Sequence, residues 1–132
     1  MDLYAQNIIE HYKQPRNHGR LAEPKISGKQ MNRSCGDQLA VDLRIKDDQI
    51  EDLKFEANGC AISVAAMSIL SEKLIGQNIT EVLAINYQSL LDMLGLPVGE
   101  RRYKCVLLGL ITVQNIILAE QKNPLRTWDD LM

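Results

Sequence analysis

An excess of charge of one sign is the first thing this sequence lacks. Its 15 Lys and Arg residues stand against 17 Asp and Glu, a net charge of −2, with the two signs interspersed. No global field therefore draws the chain to nucleic acid or to an anionic membrane. A secretory leader is not expected either. The start, MDLYAQNIIEHYK, has no basic residues followed by an apolar run, and the longest apolar stretches read as too short to cross a bilayer. These absences give the expectation of a cytoplasmic protein with no nucleic-acid partner and no membrane. Internal repeats and low-complexity segments are absent as well. The absence of a Cys-x-x-C pair sets aside a zinc ribbon and a thioredoxin-like motif. Cysteine itself is scarce and odd in number, at three residues. In a reducing compartment thiols serve metals or catalysis more often than disulfides. Each cysteine is thus a candidate ligand, weighed against the simpler reading of Cys as a small buried apolar residue.

What is present is the ordinary balance of a soluble globular domain. Apolar residues make up 45% and charged residues 24% of 132 positions, which suits one domain over residues 1–132 with a single core. Residues 2–13 read as a short amphipathic helix with Asp2 as N-cap, carrying Leu3, Ile8 and Ile9 and ending before Pro15. From Gln14 to Ser34 the chain is rich in Gly, Pro, Asn and Lys and reads as loop, with a strand near Gly28 to Met31. Leu39, Val41, Leu43 and Ile45 then alternate with polar partners, as do Leu53, Phe55 and Ala57, and the Asp47-Asp48 turn joins the two strands into an antiparallel hairpin. The period changes at Asn58-Gly59-Cys60. A helix begins there with Ile62, Ala65, Ala66, Ile69, Leu70 and Leu74 on its apolar positions and Gly76 as its stop. Thr80 reads as the N-cap of a short helix, and a further helix covers Gln88 to Leu94. The last, long helix starts near Arg102 and runs to Asn123-Pro124 with Leu107, Leu108, Ile111, Ile116 and Ile117 as its apolar positions. Strands first and helices afterwards predict an α+β domain, a small antiparallel β-sheet with helices packed on one face and solvent on the other.

The candidate chemistry clusters at element junctions. Cys35-Gly36-Asp37 precedes the first clear strand and offers a thiol and a carboxylate together, with Gly36 free to turn between them. Cys60 stands at a strand-to-helix junction and Cys105 in the first turn of the last helix. At such helix starts the unpaired backbone N–H groups favour negative charge and make a thiolate available to a metal or an electrophilic sulfur. Arg33 lies near Cys35, and Arg101, Arg102 and Lys104 flank Cys105. Three thiolates and a carboxylate around divalent zinc carry a formal excess of about two negative charges, which such cations would offset. Taken singly, the cations fit a solvated face equally well, and Asp37 fits a turn residue. His11 and His18 stand at no ligand spacing from a cysteine and read as surface or packing residues.

Together, HYKQPRNHGRL, CGDQLAVDLRI, NGCAIS and RRYKC resemble the U-type iron–sulfur cluster assembly family, which includes IscU, SufU and the N-terminal domain of NifU. The resemblance runs over nearly the whole chain. It implies a SufE/NifU-like α+β fold in which Cys35, Asp37, Cys60 and Cys105 gather at one exposed end and bind zinc (Zn2+) or a nascent [2Fe-2S] cluster. It also implies a cysteine desulfurase of the SufS, IscS or NifS type as the source of persulfide sulfur, and apo iron–sulfur acceptor proteins as recipients. Two features divide the branches. IscU-type scaffolds carry Leu-Pro-Pro-Val-Lys and a His before the third cysteine, where this chain has Leu96-Pro97-Val98-Gly99 and Lys104. The lysine resembles SufU, but the short interval from Cys60 to Cys105 is that of scaffolds. The balance favours a SufU-like sulfur acceptor that also assembles clusters. Cys35, beside Gly36 at the end of an irregular segment, reads as the persulfide acceptor, with Cys105 its rival. A plain structural zinc module that binds partners without sulfur transfer is the competing reading. A cysteine hydrolase or peroxidase lacks a His near any cysteine to act as base.

Overall fold

The computed structural model describes residues 3–34, 36–95 and 102–132. Cys35, the expected N-cap Asp2, Arg101 and the Leu96-Pro97-Val98-Gly99 stretch lie outside the described residues. Helix α1 spans Leu3–Lys13 and stops before Pro15, as the sequence predicts. Its buried stripe differs from the expected one. Ile8 packs against the core and His11 is 7% exposed, whereas Leu3 is 81% and Ile9 39% exposed. Residues three apart share a helix face, and the face that docks is the one holding His11.

Three strands form one antiparallel sheet in the order β1-β2-β3, with β1 at Ile26–Asn32, β2 at Asp37–Lys46 and β3 at Gln49–Asn58. Strand β1 is longer than expected because its inward residues are Ile26, Gly28, Gln30 and Asn32. Burial along it alternates while apolar character does not, so period-2 hydrophobicity does not reveal it. The β2–β3 hairpin turns through Asp47 and Asp48, at φ 54° and 59°, the left-handed pair that a two-residue hairpin loop requires. Leu39, Val41, Leu43, Leu53 and Phe55 point to one face and are buried.

The opposite face is not left to solvent throughout, contrary to expectation. Asp42, in the middle of β2, is fully buried beneath the segment that precedes β1. Its oxygens accept hydrogen bonds from Arg20 Nε (2.9 Å) and Nη2 (2.8 Å), Leu21 N (2.9 Å), Lys25 Nζ (3.0 Å) and Ser27 Oγ (2.6 Å). Burial pushes the carboxyl's pKa up, but the donors from Arg20, Ser27, Leu21 and Lys25 outweigh it and hold the group well below the usual carboxylate range.

Helix α2 (Ala61–Leu74) is buried on nearly every side. It lies between α1 and α5 (Tyr103–Glu120), while α5 also covers β1 and β2. By length and composition α5 could cross a membrane, with mean hydropathy 1.4, but 72% of it is buried inside the domain. Its apolarity is that of a core helix. Helix α3 (Ile79–Leu83) is capped by Asn78 rather than by Thr80, the Asn78 side chain accepting the Thr80 N–H at 2.8 Å. Helix α4 (Tyr87–Leu94) starts one residue earlier than expected, at a capping box of Asn86 with Ser89. A 3₁₀ turn, Trp128–Leu131, ends the chain's described structure. The register pairs Asn32 with Asp37 and Gln38 with Asn58. The end of β1, the start of β2 and the end of β3 are thereby brought together where α2 begins.

Candidate metal centre

Two helix starts and one strand start meet at this end of the sheet. Cys60 is the N-cap of α2 itself, one position before the helix proper, and Cys105 is the third residue of α5. Asp37 opens β2 and is 1% exposed. The ligand atoms of Asp37, Cys60 and Cys105 all lie within 4.8 Å of one another. Among the described residues neither His11 nor His18 joins them. His11 is buried against Ser68, and His18 packs edge-on against Phe55 with ring centroids 5.9 Å apart, so both are packing residues.

Asp37 is held in place by α2. Its Oδ1 accepts the Cys60 N–H at 2.8 Å and its Oδ2 accepts the Ser63 hydroxyl at 2.6 Å. The carboxylate thus satisfies groups at a helix start that otherwise lack partners. It also occupies the space above Gly59. A Cβ there would lie 2.7 Å from Asp37 Cγ, so the glycine is what lets β2 approach the junction so closely. The turn before Asp37 has Gly36 at φ 76°, a left-handed conformation that glycine adopts without steric cost.

The spacing of Cys60 and Asp37 fits zinc. Tetrahedral coordination with Zn–S of about 2.3 Å and Zn–O of about 2.1 Å separates sulfur from oxygen by about 3.6 Å, and Cys60 Sγ stands 3.7 Å from Asp37 Oδ2. Each carboxylate oxygen has a second lone pair for a metal while keeping its hydrogen bond. The site opens on a cleft of about 410 Å³ lined by Asn32, Ser34, Cys60, Arg102, Tyr103, Lys104 and Cys105. The Lys104 ammonium lies 5.9 Å from the ring centroids of both Tyr103 and Trp128, which keeps a cation at the rim as the sequence suggests. Arg33 is exposed nearby in sequence.

Sequence reasoning passes over Ser63 and Asn32. Ser63 sits three residues after Cys60, the position whose side chain reaches back to an N-cap, so the signal was present within NGCAIS. Asn32 gives no such signal, because its place depends on the register of β1.

Residues 3–124 match the family described as NifU-like N terminal domain. The chain belongs to that family. Over 93 residues it is 33% identical to an iron–sulfur cluster assembly scaffold protein IscU of Archaeoglobus fulgidus, covering 70% of this chain and 61% of that one. Over 84 residues it is 38% identical to the zinc-dependent sulfurtransferase SufU of Bacillus subtilis, covering 64% and 56%. The matches therefore span about three-fifths of the length of these relatives. The crystal structure of the N-terminal part of a nitrogen-fixing NifU-like protein from Brucella abortus shares the fold, with a TM-score of 0.75 at 22% identity, covering 92% of this chain and 96% of that one. As a NifU-like N-terminal domain, the chain has the α+β architecture its strand-then-helix order predicts.

Proposed function

We propose that this chain acts in iron–sulfur cluster assembly, accepting persulfide sulfur from a cysteine desulfurase at a centre of Cys35, Asp37, Cys60 and Cys105 that holds zinc or a nascent [2Fe-2S] cluster. The observation that carries the reading is the convergence of Asp37, Cys60 and Cys105 within 4.8 Å at the mouth of a cleft. Zinc, when bound, would keep the thiols deprotonated and in place. The chain's own part is to present a thiolate to the partner. In sulfur transfer a thiolate of this chain attacks the outer sulfur of the desulfurase persulfide. The S–S bond breaks, its electron pair leaves with the desulfurase cysteine, and a persulfide remains here. Cys35 is the proposed acceptor because Cys60 and Cys105 are fixed at helix starts, with Cys105 5% exposed. Apo iron–sulfur proteins would then receive sulfur or a finished cluster. The names of the similar proteins, one a scaffold and one a zinc-dependent sulfurtransferase, support both halves of the proposal.

A structural zinc module without sulfur transfer is the second reading, favoured by the burial of Asp37 and Cys105. The half-buried Cys60 on the cleft favours exchange instead. Protein purified without oxygen and incubated with a cysteine desulfurase and cysteine separates the two by mass mapping of the extra sulfur. The expected result is sulfur on Cys35. Sulfur on Cys105 alone would move the acceptor role there, and no transferred sulfur on any cysteine would leave the structural zinc module. Iron and labile sulfide in the same preparation would identify cluster as cargo.

A further inference from the structure

Asn32 ends β1 opposite Asp37 and is 3% exposed, an unusual place for an amide. Three of its groups are engaged in different directions. Its carbonyl accepts the Gly36 N–H at 2.8 Å, closing the turn between β1 and β2. Its side-chain Oδ1 accepts the Ser34 N–H at 3.2 Å. Its Nδ2 is directed at Cys105 Sγ at 3.9 Å, a long hydrogen bond even for the large, weak acceptor that sulfur is. The two side-chain contacts agree on the amide's orientation, because only the oxygen can accept from Ser34 and only the nitrogen can donate to sulfur.

We infer that Asn32 is a positioning residue of the metal centre, tying the β1–β2 turn to Cys105 and stabilising the Cys105 thiolate through an N–H···S hydrogen bond. The inference rests on the proposed metal centre. A hydrogen bond to a ligand atom fixes its direction and spreads its negative charge, and such outer partners set metal affinity together with the ligands themselves. Cys105 approaches from α5, the cleft's far wall, and Asn32 from the sheet. The amide is thus a link between the two layers at the site. It also places the turn relative to Cys105 without being a ligand, so it sets geometry and not donor count.

Two substitutions separate the roles. Asn32→Asp keeps an acceptor for the Ser34 N–H and removes the donor to sulfur, while Asn32→Ala removes both. Zinc affinity is read by chelator competition, and the coordination sphere by the thiolate-to-metal charge-transfer bands of the Co2+-loaded protein. In Asn32→Asp we expect zinc affinity to fall about 10- to 100-fold, the range for lost outer-shell partners, with shifted cobalt bands. Asn32→Ala should lose zinc affinity and apo stability together. Unchanged or tighter zinc binding in Asn32→Asp, with parental cobalt bands, would overturn the assignment. Cys105→Ser is the control for the centre itself. If that variant binds zinc as the parent does, the metal-centre reading fails. If it loses zinc while Asn32→Asp does not, the role of Asn32 alone fails.

Discussion

Asp37 does two jobs that a single deletion confounds. Its carboxylate is the proposed oxygen ligand of the centre, and it accepts the Cys60 N–H and the Ser63 hydroxyl. Asp37→Ala therefore leaves two polar groups at a helix start without their acceptor, and the apo protein should lose about 1–3 kcal/mol in denaturant melts whatever the carboxylate does for a metal. The discriminating measurement is transfer: if Asp37 governs release, a cluster reconstituted on Asp37→Ala should pass to an apo-ferredoxin more slowly. Transfer at the parental rate would leave Asp37 as a structural residue. Gly59 supplies a cleaner handle. Its missing Cβ is what admits the Asp37 carboxylate, so Gly59→Ala should push Asp37 out of the site while leaving every ligand in the sequence. Zinc affinity should fall by about tenfold, roughly 1.4 kcal/mol, and the double variant with Asp37→Ala should bind no more weakly than Asp37→Ala alone, since both act through one group. Additive losses in chelator titrations would show that Gly59 acts on something other than Asp37.

At the scale of elements, the strongly patterned ones were legible and the weakly patterned ones were not. Strands β2 and β3 and helices α2 and α5 announce themselves because their buried residues are apolar at the right period. Strand β1 hides because Gly28, Gln30 and Asn32 face inward, and helix α1 misleads because a histidine takes the buried place that Ile9 was expected to fill. For the centre, Cys60 and Cys105 were legible as residues at helix starts. Asp37 as a ligand came from the resemblance, and Asn32 needed the register. The α1–α2 contact yields its own prediction. Ser68 Oγ accepts the Arg16 N–H at 2.8 Å and is hydrogen-bonded to His11 Nδ1 at 2.6 Å, while His11 Nε2 lies 4.0 Å from Glu72. Burial first, then the charge of Arg16, lowers the His11 pKa, against smaller opposing pulls from Glu72 and Glu10. The folded value is below the unfolded one, so the unfolded chain binds the proton more readily. The stability tied to neutral His11 is then present above the ordinary value of about 6.5 and is lost as pH falls through it toward the folded value. The apo protein should melt at a lower temperature at pH 5.5 than at pH 7.5, and His11→Gln should show a flatter profile over that window. Equal slopes for the two proteins would mean that His11 does not carry the dependence.

At one end of the molecule three elements, β2, α2 and α5, bring the proposed ligand atoms of Asp37, Cys60 and Cys105 within 4.8 Å of one another. A metal there binds the native arrangement and not the unfolded chain, so it adds stability by mass action. At free zinc about a hundredfold above the dissociation constant this amounts to about 2.7 kcal/mol, which for a domain of this size raises the melting temperature by on the order of 10 °C. Removing zinc with a chelator should reverse that shift, and Cys60→Ser should melt at the same temperature with and without zinc. The effect should also be local. Amide exchange should quicken on zinc removal at the starts of β2, α2 and α5, while the Asp47-Asp48 hairpin and the Asn78 cap, at the opposite end of the sheet, keep their protection, because opening is confined to the elements that lose a tie. Uniform loss of protection across the domain would mean that the metal sets global stability without defining an end of the fold. A melting temperature indifferent to zinc in the parent would remove Asp37, Cys60 and Cys105 as a metal centre altogether.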